Sequence, residues 1–287
     1  MLTAAVSMLA SSPAEAHVRS GAVAADYRAS VFPVSPAATH AIRVRIAPSD
    51  RAISLTVVRG NDVTVLGPSG TAMRTIDARR LGSETRTVTW HDSRLRGLPA
   101  GVREGRWSLP LIVDGARTQL EGEIWRVQAP PVWPWWLVGV PFLVVTALAV
   151  VRITHRPEPA IVLLAGLAAV ATVAIAVGFA VSSSASAGRM LEGFDELAVA
   201  AVGVGFLVHG PGERRLIAAV ALGFLAVFAA GLKVAVLVHG LVLSALPATV
   251  ARASVAVALW AGFAVIVTAG WLLVKTAQRT TVRGPRT

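Results

Sequence analysis

Two hydrophobic periods divide the chain. From Ile42 onward, apolar and polar residues alternate in short runs. Ile42, Val44 and Ile46 are interleaved with Arg43 and Arg45, a period of two that turns one face of a strand towards a core. Similar runs follow at 53 to 58 (ISLTVV), 63 to 67 (VTVLG), 87 to 90 (TVTW), 107 to 113 (WSLPLIV) and 121 to 127 (EGEIWRV). Turn-forming stretches such as Arg59-Gly60-Asn61-Asp62 and Asp114-Gly115 separate them. Six or seven short strands at this spacing predict an all-β, immunoglobulin-like sandwich over residues 17 to 130, with a barrel as the alternative. Trp90, Trp107 and Trp125 lie on predicted strands and are the expected large core residues.

Past Trp133 the alternation stops and the apolar runs lengthen. The connector Pro130-Pro131-Val132-Trp133-Pro134-Trp135-Trp136 is stiff and ends in rings suited to a membrane interface. Spans are predicted at about 134 to 151, 160 to 181, 195 to 209, 216 to 238 and 251 to 274, each near the roughly 20 residues that cross a hydrocarbon core. The stretch 233 to 250 reads as a sixth span or as an outer re-entrant or interfacial segment. Charge placement favours five spans within a transmembrane domain of residues 131 to 275. With the β-domain outside, the inner loops hold Arg152, Arg156, Arg214 and Arg215, and Lys275 leads into a basic tail with Arg279, Arg283 and Arg286. Only Arg189 and Arg252 then lie in outer loops, the distribution expected when positive loops stay in the cytoplasm. The expected setting is a bacterial plasma membrane, with the lipid bilayer as partner, the N-terminal domain extracytoplasmic and residues 276 to 287 cytoplasmic.

Composition fits two media, because 54% apolar residues exceed what a soluble domain carries. The net charge of +11 comes from 25 Arg and 2 Lys. An exported domain meets no nucleic acid, so these residues are read as strand-face arginines and positive inner loops. The chain has no cysteine, which excludes a disulfide framework, a thiolate metal site and a lipidated N-terminal cysteine. Residues 1 to 16 are expected to be a signal peptide, with Ala14-Glu15-Ala16 as a small-x-small cleavage pattern, although a positive n-region is missing.

Cleavage there exposes His17, whose amine and imidazole together suit Cu(II). Trp90-His91-Asp92 ends a strand, where an imidazole beside a carboxylate can bind metal or shuttle protons; the simpler reading is an exposed His next to a turn Asp. His40 is expected in solvent, and His155 and His209 at helix ends. His239 falls in an apolar outer segment, where an ionisable group marks either a pathway or an interface. Lys233 interrupts the fourth span and can pair with Glu192, Asp195 or Glu196, with snorkelling as the simpler reading. The three carboxylates sit at the predicted start of the third span, where capping is favoured over ion binding. Gly203-Val204-Gly205 permits close helix packing. No Ser/His/Asp arrangement, carboxylate pair in a pocket or phosphate loop can be argued, so the chain is not expected to be an enzyme.

The layout of signal, exported β-sandwich starting with His and multi-span domain resembles copper-handling fusions of the CopC/CopD type. In that family a strand with Trp or Tyr leads to an Asp-Gly-His turn, a Gly and a closing strand; here Trp107, Asp114-Gly115, Gly122 and Trp125 follow a similar order. Ala116 stands where the family's copper-binding His is expected, so the resemblance carries over only His17 and Asp114 as metal residues. The membrane part is also shorter than the eight spans usual for CopD, without that family's dense intramembrane His and Met. Trp90-His91-Asp92-Ser93-Arg94 also resembles a Trp-His-Asp-His-Arg motif of exported-domain membrane proteins from high-GC bacteria, with Ser93 in place of the second His. The resemblance implies copper as the cofactor or cargo of an outer ligand- or metal-binding domain. The alternative is an envelope structural or interaction module that docks a protein partner.

Overall fold

The computed structural model describes residues 23–34, 38–47, 51–67, 69–78, 85–95, 97–152, 158–182 and 187–282. The signal segment, His17, His155, Arg156 and the end of the basic tail lie outside them. Two compact units divide the chain after Val127.

Among the described residues the first unit contains eight principal strands: β1 Tyr27–Val31, β2 Ile42–Ile46, β3 Ile53–Val58, β4 Asp62–Leu66, β5 Ala72–Asp77, β6 Thr85–Trp90, β7 Glu104–Val113 and β8 Ala116–Arg126. They form two open antiparallel sheets, a larger one in the order β1-β8-β7-β4-β5 and a smaller one in the order β2-β3-β6. The period of two seen in the sequence is the period of burial. Ile53, Leu55 and Val57 on β3 are buried, while Ser54, Thr56 and Val58 between them are partly exposed. Inward residues of both sheets, including Ile42, Leu55 and Trp90 of the smaller and Val65, Leu109 and Ile124 of the larger, join one hydrophobic cluster. Each such aliphatic side chain contributes about 1.5–3 kcal/mol when fully buried.

Two strands had no signal in the alternation. β5 is exposed at five of its six positions and so has no apolar face to show, and β1 has none fully buried. One core expectation is corrected. Trp90 and Trp107 are buried, but Trp125 is only half-buried, because Leu120, Gly122 and Ile124 occupy the inward positions of β8 and alternation turns Trp125 to the other face.

The second unit contains α1 Trp133–Leu137, α2 Gly139–Arg152, α3 Glu158–Ala180, α4 Ala187–His209, α5 Gly212–Leu232 and α6 Ala248–Val282. Among the described residues four segments, Trp133–Val150, Glu158–Ala180, Gly212–Leu232 and Ala248–Gln278, are long and apolar enough to cross a membrane. At 23 residues α4 equals α3 in length, but it carries Glu192, Asp195 and Glu196.

The stretch 233 to 250 forms no helix of membrane length. It forms a 3-10 turn at Val234–Leu237, a short extended piece at Leu241–Val242 and then the start of α6. The helices pack closely where glycine allows it. A Cβ on Gly223 would lie 2.8 Å from the Gly262 carbonyl oxygen, so α5 and α6 meet backbone to backbone. A Cβ on Gly193 would lie 2.7 Å from that of Ala180, which sets the approach of α4 to α3. Gly203 is close to Leu222 in the same way. Gly139 leaves room for the Trp260 indole, which stacks edge-on to Trp136 at 5.7 Å.

Candidate functional site

At the end of β6 the chain turns through Trp90-His91-Asp92 into a 3-10 turn, Ser93–Leu95. Asp92 Oδ1 accepts from the Arg94 backbone N–H at 3.0 Å and from Arg94 Nε at 2.7 Å, and Oδ2 accepts from Nη2 at 2.8 Å. The guanidinium also reaches the carbonyls of Ser108 and Leu66, each at 3.4 Å, so the pair ties the end of the smaller sheet to β7 and β4 of the larger. Burial pushes the Asp92 carboxyl up, but the hydrogen bonds and positive charge of Arg94 outweigh it and hold the group below the ordinary carboxylate value. Both oxygens of Asp92 are thus engaged by protein donors. His91 beside it is exposed, as is His40.

The hairpin β7–β8 turns on Asp114 and Gly115, with φ of +48° and +84°. Positive φ at both central residues is the signature of the two-residue turn that matches strand twist, which is why an Asp-Gly pair stands there. Asp114 Oδ1 accepts from the Asp62 backbone N–H at 2.8 Å, clipping the turn to β4. Trp107 is directly opposite Gly122 in the register. A Cβ at Gly122 would lie 2.5 Å from the indole, and Trp107 Nε1 donates to the Ser30 carbonyl on β1 at 3.2 Å. Trp107, Asp114-Gly115 and Gly122 therefore do packing and turn work.

The outer face of the smaller sheet is polar. Arg43, Thr56 and Thr87 align in one row and Arg45, Ser54 and Thr89 in the next. The hydroxyls pair across the strands at 2.8 Å in both rows, and Arg43 and Arg45 are exposed. Other arginines lie over rings, Arg126 and Arg51 over Tyr27 and Arg74 over Trp90.

A second charged group is buried in the helical unit. Lys233, the residue that ends α5, donates to Glu192 Oε1 at 2.7 Å and to Glu196 Oε1 at 2.8 Å. Its side chain is 4% exposed, that of Glu196 6% and that of Glu192 39%. Oε2 of Glu196 is buried without a hydrogen-bond partner. Glu192 and Glu196 share a face because they are four residues apart on a helix, and Asp195, the residue before Glu196, is exposed.

Two expectations are corrected here. Lys233 does not snorkel, since its ammonium is held inside by two carboxylates. Glu192 and Glu196 do not cap a helix start, because α4 begins at Ala187 and places them in its second and third turns.

Arg252, near the start of α6, reads in the charge pattern only as an outer-loop cation. It is buried, and it donates through Nε to the Val236 carbonyl and through Nη2 to those of His239 and Gly240, all at 2.9 Å. The 3-10 turn and the loop after it are thereby pinned to α6. His239 is half-buried in this loop, whose far end reaches α3 through the Ala245 N–H, a donor to the Gly178 carbonyl at 2.8 Å. At the opposite end of the unit Arg215 faces Glu158 at 3.8 Å, and His209 and Arg214 line a shallow groove of about 430 Å³ with Val202 and Phe206.

Among the described residues no group of three or more His, Asp or Glu side chains stands together as a metal centre. His91, Asp92 and Asp114 are not assembled into one, and His17 lies outside the described residues. Compared with protein-family models, curated proteins and solved structures, the chain matches none.

Proposed function

We propose that this is an integral protein of the bacterial plasma membrane whose β-region is an extracytoplasmic, immunoglobulin-like recognition module for an acidic protein partner in the envelope. The strand order supports the sandwich reading: in the larger sheet the last two strands lie beside the fourth and fifth, and in the smaller the third lies beside the sixth, as in immunoglobulin-type layouts. The orientation is supported by charge. The end of α2, the start of α5 and the last part of α6 carry Arg152, Arg214, Arg215 and Lys275, which belong on the cytoplasmic side.

The observation that carries the reading is the Arg43/Arg45 face. Two exposed guanidinium groups flank two rows of hydroxyls, and none of these six aligned positions holds a carboxylate. Guanidinium forks match carboxylates in shape and charge, so the surface complements an acidic partner.

Copper handling is the second reading, and it rests on the resemblance. The Trp107–Gly122 hairpin favours a shared scaffold, while Asp92 and Asp114 each already accept protein hydrogen bonds. One set of experiments separates the two. Photo-crosslinking in cells from a probe at Thr87 of the full chain should give a discrete partner, the product should vanish in Arg43→Glu/Arg45→Glu, and a charge-reversed partner should restore it. Loss without rescue, or no effect of the reversal, sinks the recognition reading. Stoichiometric Cu(II) binding by the full chain, abolished in His17→Ala or His91→Ala, would establish copper handling instead.

A further inference from the structure

The helical unit places Glu192, Glu196 and Lys233 where an apolar bundle has every reason to exclude charge. Taking a carboxylate or an ammonium out of water costs several kcal/mol per ion, offset only when partners satisfy it fully. Lys233 has two such partners. Glu196 does not, because one of its oxygens is buried and meets no donor. The three groups together carry one more negative than positive charge when all are ionised. Two carboxyl groups that share a single ammonium repel each other, and a proton on one of them removes both the repulsion and the excess charge.

We propose that Glu192, Glu196 and Lys233 form a proton-binding site of the helical unit, in which a proton entering at Glu192 comes to rest on Glu196. Exposure falls along that route, from 39% at Glu192 to 6% at Glu196, with Lys233 at 4% between them. The step is a simple transfer: a hydronium ion gives its excess proton to the Glu192 carboxylate and is left as water, Glu192 passes the proton to a Glu196 oxygen and returns to a carboxylate, and the ammonium keeps its charge throughout.

A metal cation fits the site less well. Lys233 Nζ already takes one oxygen from each carboxyl, and no third oxygen or nitrogen ligand from His, Asp or Glu joins them among the described residues. Few other charges face the pair. On α3 the one ionisable residue, Glu158, is at the opposite end, as are Glu213, Arg214 and Arg215 on α5. On α6, Arg252 is turned onto backbone carbonyls. On α4 itself Asp195, the residue before Glu196, is exposed, and Arg189 lies one turn before Glu192.

Infrared difference spectroscopy of the full chain in lipid nanodiscs tests this site. The expected result is a carbonyl-stretching band of a protonated carboxyl at neutral pH that disappears on alkalinisation and is missing in Glu196→Gln. Glu192→Gln should keep the band but slow its response to a pH jump at least several-fold. If Glu196→Gln does not fold, judged by its helical circular dichroism, Glu196→Asp serves instead and should shift the band frequency. A wild type without the band at neutral pH overturns the proposal, as does a band untouched by changes at Glu196. A band whose size follows sodium concentration makes the occupant a metal cation and overturns it as well.

Discussion

Each unit of this protein buries a carboxylate against a cation, and the two are built differently. In the β-region Asp92 and Arg94 are two residues apart, and every oxygen of the carboxylate accepts at least one hydrogen bond within 3.0 Å. In the helical unit Lys233 bridges carboxylates 41 and 37 residues away, and Glu196 keeps one oxygen without a partner. A saturated local pair behaves as a staple, since nothing in it is left to exchange. An unsaturated pair drawn from separate helices holds packing together and also has capacity to bind something more.

Removing the cation separates these behaviours most strongly. Lys233→Met leaves two carboxyl groups facing an apolar side chain, and a buried pair broken in this way costs about 3–5 kcal/mol. Unfolding of the full chain in mixed micelles at neutral pH should show that loss in the helical unit. Adding Glu196→Gln to Lys233→Met should change the stability little further, because a carboxyl that holds a proton beside the ammonium also holds it without the ammonium, and a double variant that recovers much of the loss would show that Glu196 is ionised instead.

Acid titration probes the staple. Asp92 is held below the ordinary carboxylate value, so its stabilising contribution is complete above about pH 4. It is lost as the pH falls from there through the lowered value, because the unfolded chain takes up the proton first. Unfolding of the β-region followed by tryptophan fluorescence should show this extra acid sensitivity, and Asp92→Asn should flatten it. The smallest effect is expected at Asp195, which is exposed on α4. Asp195→Asn should change stability by no more than about 0.5 kcal/mol and leave carboxyl titration as in wild type.

Much of the architecture was legible because burial imposes a period. The run Ile42-Arg43-Val44-Arg45-Ile46 can be a strand with only one face inside, and the long uncharged runs after Trp133 can be satisfied only as helices in lipid. β5 was invisible for the same reason reversed, being an edge strand with one buried residue. The site was legible in membership, since Lys233, Glu192 and Glu196 stand out in apolar sequence. It was illegible in geometry: only the fold brings the end of α5 beside the second turn of α4. Arg94 is different again, because its pairing with Asp92 is local and an Asp-x-Arg at a strand end is a readable cue. Arg252 gave no cue, as its partners are backbone carbonyls, which carry no residue signature.

The most direct measurement exchanges one carboxyl for an amide of nearly the same shape in each unit and compares unfolding free energies in the full chain. Asp92→Asn should cost the β-region about 1–3 kcal/mol, since charged hydrogen bonds to Arg94 are lost. Glu196→Gln should leave the helical unit within about 1 kcal/mol of wild type, because in the proposed site the amide replaces a carboxyl that carries the proton. A Glu196→Gln variant that loses as much as Asp92→Asn would contradict the division of the two groups into a staple and an exchangeable site.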